Sequence, residues 1–283
     1  MSGVLARRPV APRRTSVDGR EPTHDWRPRY WLAFPRERGG DLAQDEAYFQ
    51  LVEEDGDTWI RFHDYDEIYR RPGLYEQLFH DRLKCSSPQK VAQILQSAVA
   101  QSDTHFTELR VLDLGAGNGI MGEELKKVGV SRLVGVDIIP DAEQAMYRDR
   151  PGIYDAYHTV DITDLDDDLR ADLLSWRFNT LTVVAALGFG DIPAAAFVEA
   201  LNLIDTPGWL AFNIKETFLD RSDTTGFSTT LRELILSEYI DVYHLERYRH
   251  RLSIDGEPLF YFAISGRKNA DIPSDFLEHI DAV

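Results

Sequence analysis

The sequence predicts an α/β fold. Its core is a mostly parallel sheet with helices on both faces, finished by an antiparallel hairpin and preceded by an N-terminal helical cap. Three observations predict it. From about residue 109, short apolar runs alternate with helical stretches, the pattern of right-handed βαβ units. The run "NTLTVVAAL" (179–187) is continuous and rich in β-branched residues, as in a strand buried on both faces. Near the end, "EYIDVYHLERYRHRL" and "EPLFYFAISGRK" are long alternating stretches joined through "SIDGE", where Asp255-Gly256 signals a hairpin.

Taken in order, residues 1–25 mix Arg, Pro, Ser and Thr and read as a disordered tail. The alternative, an Arg-rich transit peptide, conflicts with Pro9 and Pro12, which break the amphipathic helix it needs. Residues 26–87 form the cap, with its helical part over 41–84. There Leu42, Tyr48, Phe49 and Leu51 suggest a helix ending near Gly56, and Leu74, Leu78 and Phe79 suggest a second. Residues 88–283 form the core domain. Ser86-Ser87-Pro88 supplies an N-cap and an early proline for a helix to about residue 101, with Val91, Ile94, Leu95, Ala98 and Val99 on its apolar face. "RVLDLG" is a strand followed by a helix over about 120–128. "RLVGVD" is a strand followed by a helix opened by Pro140 and Asp141. "AYHTVD" is the third strand, "NTLTVVAAL" the fourth, then a helix over about 193–204, and "GWLAFNI" the fifth.

Bulk properties bound the function. The chain has 283 residues, 43% of them hydrophobic, enough for a sizeable core. No apolar run approaches the roughly 18 to 20 residues of a membrane span, and no signal-peptide pattern opens the sequence. One cysteine, Cys85, excludes a disulfide framework and a thiolate zinc site, which suits a cytoplasmic protein. The net charge is −17, yet residues 1–38 carry a local +5, leaving −22 on the remainder. So acidic a body repels phosphate backbones and anionic lipid, so neither nucleic acid nor membrane is an expected partner. No motif specifies an oligomeric state, and a homodimer is compatible with the sequence.

The informative stretch is "VLDLGAGNGIMG" (111–122), where two glycine patterns overlap. Gly115, Gly117 and Gly119 read as G-x-G-x-G, while Gly117, Gly119 and Gly122 match the G-x-G-x-x-G of dinucleotide-binding corners. The first frame fits better. Asp113 lies two residues before Gly115, where a carboxylate repels a pyrophosphate and favours a cationic ligand such as S-adenosylmethionine. The dinucleotide frame begins late, with Leu114-Gly115-Ala116 spliced between strand and turn. Asp137, ending the second strand, suits ribose hydroxyls in either case. Asp161-Ile162, after the third strand, offers a carboxylate and an N–H to an adenine edge. The closing hairpin is foreign to the ordinary dinucleotide fold.

Together "VLDLGAGNG", "VGVDI" and "TVDITDL" resemble the successive motifs of class I S-adenosylmethionine-dependent methyltransferases, over about residues 88–266. The resemblance implies a Rossmann-like seven-stranded sheet of order 3-2-1-4-5-7-6 with strand 7 antiparallel. It implies S-adenosylmethionine as cofactor and methyl transfer to a small-molecule hydroxyl, amine or carboxyl acceptor. Carried over, Asp113, Gly115, Gly117 and Gly119 line the methionine part, Asp137 holds the ribose, Ile138 packs on the adenine, and Asp161-Ile162 read its edge. Ala185 and Leu187 border the methionine and the acceptor. "YRRPGLYE", "AALGFGDIP" and "GWLAFNIKETFL" are more loosely similar to the methyltransferase-like family named for the Williams–Beuren region, in which a Tyr-Arg-x-Pro segment covers the cofactor; Tyr69, Arg70 and Pro72 match it.

Each assignment has a plainer counterpart. Asp137 or Asp161 can cap a following helix. The acidic run Asp164–Asp168 more often complements a helix dipole than binds metal, and no metal site is expected. Tyr65 and Tyr69, four apart, suit core packing and a cofactor lid equally. The eight histidines are scattered and none is singled out as a base. The amino-methylating Asn/Asp-Pro-Pro-Tyr segment is replaced by Ala185-Ala186-Leu187-Gly188. Asp191, just beyond, is a candidate catalytic base or a cap for the helix at Pro193. Two other functions remain open. One is a non-catalytic, cofactor-binding regulatory subunit; the other is an NAD(P)-dependent oxidoreductase.

Overall fold

The computed structural model describes residues 29–35, 46–53, 56–187, 191–219 and 226–281. The tail (1–25), Leu42 of the cap and Gly188 lie outside them. Two sheets organise the molecule. In the cap, β1 (Trp31–Ala33), β2 (Tyr48–Glu53) and β3 (Gly56–Arg61) pair antiparallel in that order. A short helix α1 (Tyr65–Tyr69) and a π-helical segment (Glu76–Arg82) follow, the latter passing a wide Leu83 N–H to Leu78 C=O bond.

The cap therefore corrects the expectation of a wholly helical element. Tyr48, Phe49 and Leu51 form a strand, not a helix. Phe49 and Leu51 are fully buried while Tyr48, Gln50 and Val52 are not, a period of two that sets them against Ile60 and Phe62. Gly56 does not stop a helix; it begins β3, paired with Glu53 across a hairpin. The helical half of the expectation holds for 65–82. Its apolar residues Ile68, Leu74, Leu78 and Phe79 join Phe49, Leu51, Ile60 and Phe62 in one core beneath the sheet.

The part of the chain that builds the second sheet begins with α2 (Ser87–Val99). Then come β4 (Arg110–Leu114), α3 (Ile120–Lys127), β5 (Arg132–Asp137), α4 (Pro140–Asp149), β6 (Ala156–Thr159), α5 (Asp167–Ser175) and β7 (Thr180–Val183). The chain continues through α6 (Ala194–Asn202), β8 (Gly208–Lys215), α7 (Phe227–Leu236), β9 (Ile240–Leu252), β10 (Pro258–Lys268) and α8 (Phe276–Asp281). The sheet runs β6-β5-β4-β7-β8-β10-β9. Counted from β4 this is the expected 3-2-1-4-5-7-6, parallel from β6 to β8, with β10 antiparallel to both its neighbours.

Alternation along the strands builds two cores. Leu112, Leu114, Val134, Val136, Leu181, Val183, Leu210 and Phe212 face α6 and α7 through Phe197, Leu201, Leu231 and Leu234. Val111, Leu133 and Ala211 face α2 and α3 through Val91, Leu95, Ala98 and Leu125. The acidic run behaves as the helix-dipole reading expects. Asp166 caps α5, its carboxylate accepting from Leu169 N–H at 2.8 Å, with Asp167 and Asp168 in the first turn. Ser86 starts α2, but its hydroxyl goes to Arg249 C=O rather than to the helix. The Phe227, Leu231 and Leu234 spacing of α7 is a helical stripe that the strand-by-strand reading passed over.

Candidate cofactor and acceptor site

The carboxyl ends of β4, β5, β6 and β7 open into a cavity of about 280 Å³, roofed by Tyr65, Tyr69 and Tyr75 of the cap. Its floor is made of Leu114-Gly115, Asp137–Ile139, Val160–Ile162 and Val184–Ala186. This is the crevice where open α/β sheets bind ligands. Of the residues singled out from sequence, Gly115, Asp137, Ile138, Asp161, Ile162, Ala185, Asp191 and Tyr69 all line it.

The loop after β4 spends its own amides. Gly115 and Ala116 both donate to Val136 C=O, at 2.8 and 3.1 Å; Gly117 donates to Asp137 Oδ2 at 2.8 Å, and Gly119 to Ala116 C=O at 3.0 Å. Those N–H groups would otherwise form the anion cradle of a pyrophosphate site. Gly117 has a positive φ of 54°, and a Cβ there would lie 2.5 Å from the Tyr69 hydroxyl, so only glycine allows Tyr69 to close over the loop. Gly122, the third glycine of the dinucleotide frame, serves packing: a Cβ would meet Tyr154 and Leu133.

Asp137 is almost fully buried and grips the loop. Oδ2 takes the Gly117 N–H, and Oδ1 takes Ile139 N–H at 3.0 Å. Burial raises its pKa, partly opposed by these backbone hydrogen bonds. Each oxygen keeps a further lone pair for a ligand hydroxyl. Asp161 sits at the rim, Oδ1 accepting from the Thr163 amide at 2.9 Å and hydroxyl at 2.7 Å; those bonds lower its pKa. It does not cap the next helix, since Asp166 does. Ile138 is an exposed aliphatic side chain on the cavity wall.

Four expected positions are corrected and lie outside the main cavity. Gly117 lines a smaller neighbouring pocket with Tyr69 and Tyr75 instead. Asp113 does not face the cavity. It is buried on the α2–α3 side of the sheet, its oxygens accepting from Tyr154 at 2.6 Å and Thr182 at 2.6 Å. It shares the face of Val111, so only the backbone of the loop reaches the ligand side. Gly119 is likewise outside, beginning α3 against Met146 and Ile153. Leu187 is buried and lines an adjoining annex of about 40 Å³ instead of the main cavity.

The annex meets the cavity at His63, Tyr65, Tyr75, Ala185 and Asp191. At this junction Asp191 Oδ1 lies 3.1 Å from His63 Nδ1. Asp191 makes no cap bond to α6, whose N-cap is Pro193. Ala185 has a φ of 57°, uncommon for a residue with a Cβ, and its N–H is held by Asn213 Oδ1 at 2.6 Å. Asn213 in turn belongs to a buried network with Tyr248 and Ser87, and His250 Nδ1 closes it at 2.5 Å from the Ser87 hydroxyl. Sequence reasoning missed His63, Tyr75 and Arg251. They come from a cap loop, the residue that opens the π segment and β9, far apart in the chain, and no local motif marks them.

The electrostatics are one-sided. Asp137, Asp161 and Asp191 line the main cavity, and among the described residues no Lys or Arg does. Also among them, no group of three or more His, Cys, Asp or Glu is placed to hold a metal ion, and no helix is long and apolar enough to cross a membrane.

No protein-family model and no curated protein matches this sequence. Solved structures do. The N-methyltransferase NodS from Bradyrhizobium japonicum, in complex with S-adenosyl-L-homocysteine, superposes with a TM-score of 0.51 at 14% identity, over 74% of this chain and 98% of its own. The magnesium protoporphyrin IX methyltransferase ChlM from Synechocystis, with bound S-adenosylmethionine, reaches 0.46 at 14% identity over 64% and 79%. The NodS likeness shows the fold: the chain has the Rossmann-like architecture of the S-adenosylmethionine-dependent methyltransferases.

Proposed function

We propose that this protein is an S-adenosylmethionine-dependent methyltransferase acting on a small-molecule acceptor. The observation that carries the reading is the cavity at the strand ends, with three carboxylates and no Lys or Arg lining it among the described residues, and a glycine loop whose amides are already engaged. A pyrophosphate finds no partner there. A cationic nucleoside finds an attractive field and a carboxylate, Asp137, for its ribose.

On this reading Ile138 packs on the adenine, and Asp161 with the Ile162 amide reads its edge. Gly115, Gly117 and Ala185 border the amino-acid moiety, and Tyr69 excludes water above it. The bound cofactor supplies a methyl group activated by a positive sulfur. The chain supplies proximity and orientation, which account for most of the acceleration such a displacement needs. Asp191, held against His63 at the junction, takes the acceptor's proton as the new bond forms. The single cysteine suits a cytoplasmic setting.

Calorimetry with S-adenosylhomocysteine and NADH tests the cofactor. We expect the first to bind and the second not; NADH binding alone would overturn the proposal. Asp137→Ala should weaken S-adenosylhomocysteine on the order of tenfold to a hundredfold, as expected for a lost charged hydrogen-bond partner. Asp191→Ala should leave that affinity intact and lower methyl transfer in a labelled-donor acceptor screen. Tight cofactor binding with no turnover on any extract fraction would favour the regulatory-subunit reading.

A further inference from the structure

Arg251, on β9, is 4% exposed and lines the annex beside the main cavity. Nη1 donates to Leu252 C=O at 2.9 Å, and the guanidinium lies 5.2 Å from the centre of the Phe62 ring. Nε and Nη2 donate to no acceptor among the described residues, and no Asp or Glu of these lies within ion-pair distance. The described groups around it do not neutralise it. Tyr65, Tyr75 and Tyr261 are phenols, the first two held above the ordinary tyrosine range by burial. His250 is held well below its ordinary range by burial and by Arg251 itself, and so stays uncharged at neutral pH. Asp191 shares the annex, but its Oδ1 is turned to His63.

A guanidinium does not shed its proton under physiological conditions, so burial without a counter-ion is costly. We propose that the annex is the anchoring subsite for the methyl acceptor and that Arg251 binds a carboxylate of that acceptor there. This rests on reading the larger cavity as the donor site. The size fits: about 40 Å³ holds roughly three water-sized groups, the count of heavy atoms in a carboxylate. The shape fits: the rings of Phe62, Phe79 and Tyr261 form walls that suit a planar head group, and the guanidinium fork matches a carboxylate with two parallel hydrogen bonds. The charge fits: an anionic acceptor would lie between Arg251 and the cationic sulfur of the donor. Asp191 and His63, shared by both cavities, flank the atom that receives the methyl group.

The test uses the full chain, with and without S-adenosylhomocysteine. Acetate and benzoate are titrated against acetamide and benzamide, followed by thermal shift and by the Arg251 Nε–H resonance in NMR spectra. The carboxylates should raise the melting temperature and move that resonance, and the amides should do neither. Arg251→Met should weaken the carboxylates by roughly tenfold or more, as expected when a charged hydrogen-bond partner is lost, while leaving S-adenosylhomocysteine affinity unchanged. Arg251→Lys should bind them with intermediate strength. Amides binding as well as carboxylates, binding of neither, or carboxylate binding retained in Arg251→Met would overturn the inference; if the Met variant does not fold, the comparison on the wild-type chain decides. Failure of S-adenosylhomocysteine to bind the wild type would overturn the donor-site reading instead, since the carboxylate titration is also read without it.

Discussion

Asp113 illustrates how one residue's facing direction changes its role. Its position before the glycine loop suggests a carboxylate aimed at a sulfonium. In the structure it lies beneath the loop, tying β4 to Thr182 of β7 and to Tyr154. Burial pushes its pKa up to about 6, against the two hydroxyl hydrogen bonds that favour the ionised form. The folded state therefore holds this proton more tightly than the unfolded chain does. Its contribution favours the fold at low pH and is lost as pH rises from about 4 to about 6. The loss amounts to on the order of 3 kcal/mol. Asp113→Asn removes the titration. Denaturant unfolding at pH 4.5 and pH 7 should show the variant gaining relative to the wild type as pH rises; an identical pH dependence in both would contradict the assignment.

At the scale of elements, α1 bears on access to the cavity. It has five residues and no side-chain N-cap bond. Tyr69 lies against Ala142 and Ala145 of α4 and stacks with Tyr75, ring centres 5.1 Å apart. Arg70 reaches Asp141 with both contacts at 3.2 Å, an exposed pair of small energetic weight. The next segment is more firmly fixed. Glu76 Oε1 accepts from Asn118 of the glycine loop and from Arg150, both at 2.8 Å. We therefore expect α1 to open as a lid while the π segment stays, since a ligand under Tyr69 has to enter and leave. Hydrogen exchange should show weak protection over residues 64–72 in the free protein, rising with S-adenosylhomocysteine. Equal and high protection in both states would mark α1 as a static part of the cap.

Across the whole molecule, cap and core are joined through the chain's far end. Leu252 N–H bonds Leu83 C=O at 2.7 Å, Ser86 N–H bonds His250 C=O at 3.0 Å, and Ile254 packs into the cap core. The β9–β10 hairpin thus braces the cap, and the annex lies between the two. Scanning calorimetry should show one unfolding transition that S-adenosylhomocysteine moves upward as a unit, by about 2.7 kcal/mol at a hundredfold excess over Kd. Two separate transitions, with only the later one shifted, would mean that the cap contributes nothing to the ligand site.

The strand order was what the family resemblance implied; the sequence alone determined the strands themselves and most of the cavity floor. Each depends on local signals: apolar runs, prolines opening helices, and glycines between a strand and a helix, which place Gly115, Asp137 and Asp161 at strand ends wherever the rest of the chain goes. Tertiary structure decided what faces them. Phe49 and Leu51 fit a strand or a loose helix until β3 pairs with them and Ile60 and Phe62 pack against them, so the cap's sheet was not legible locally. Asp113 needed the register of β4 against β7 to show that it points away from the ligand. His63 and Arg251, 188 positions apart in sequence, meet around one annex only because the cap folds onto the hairpin. Long-range packing has no spacing that can be read along the chain, and the acceptor side of this site is built from it.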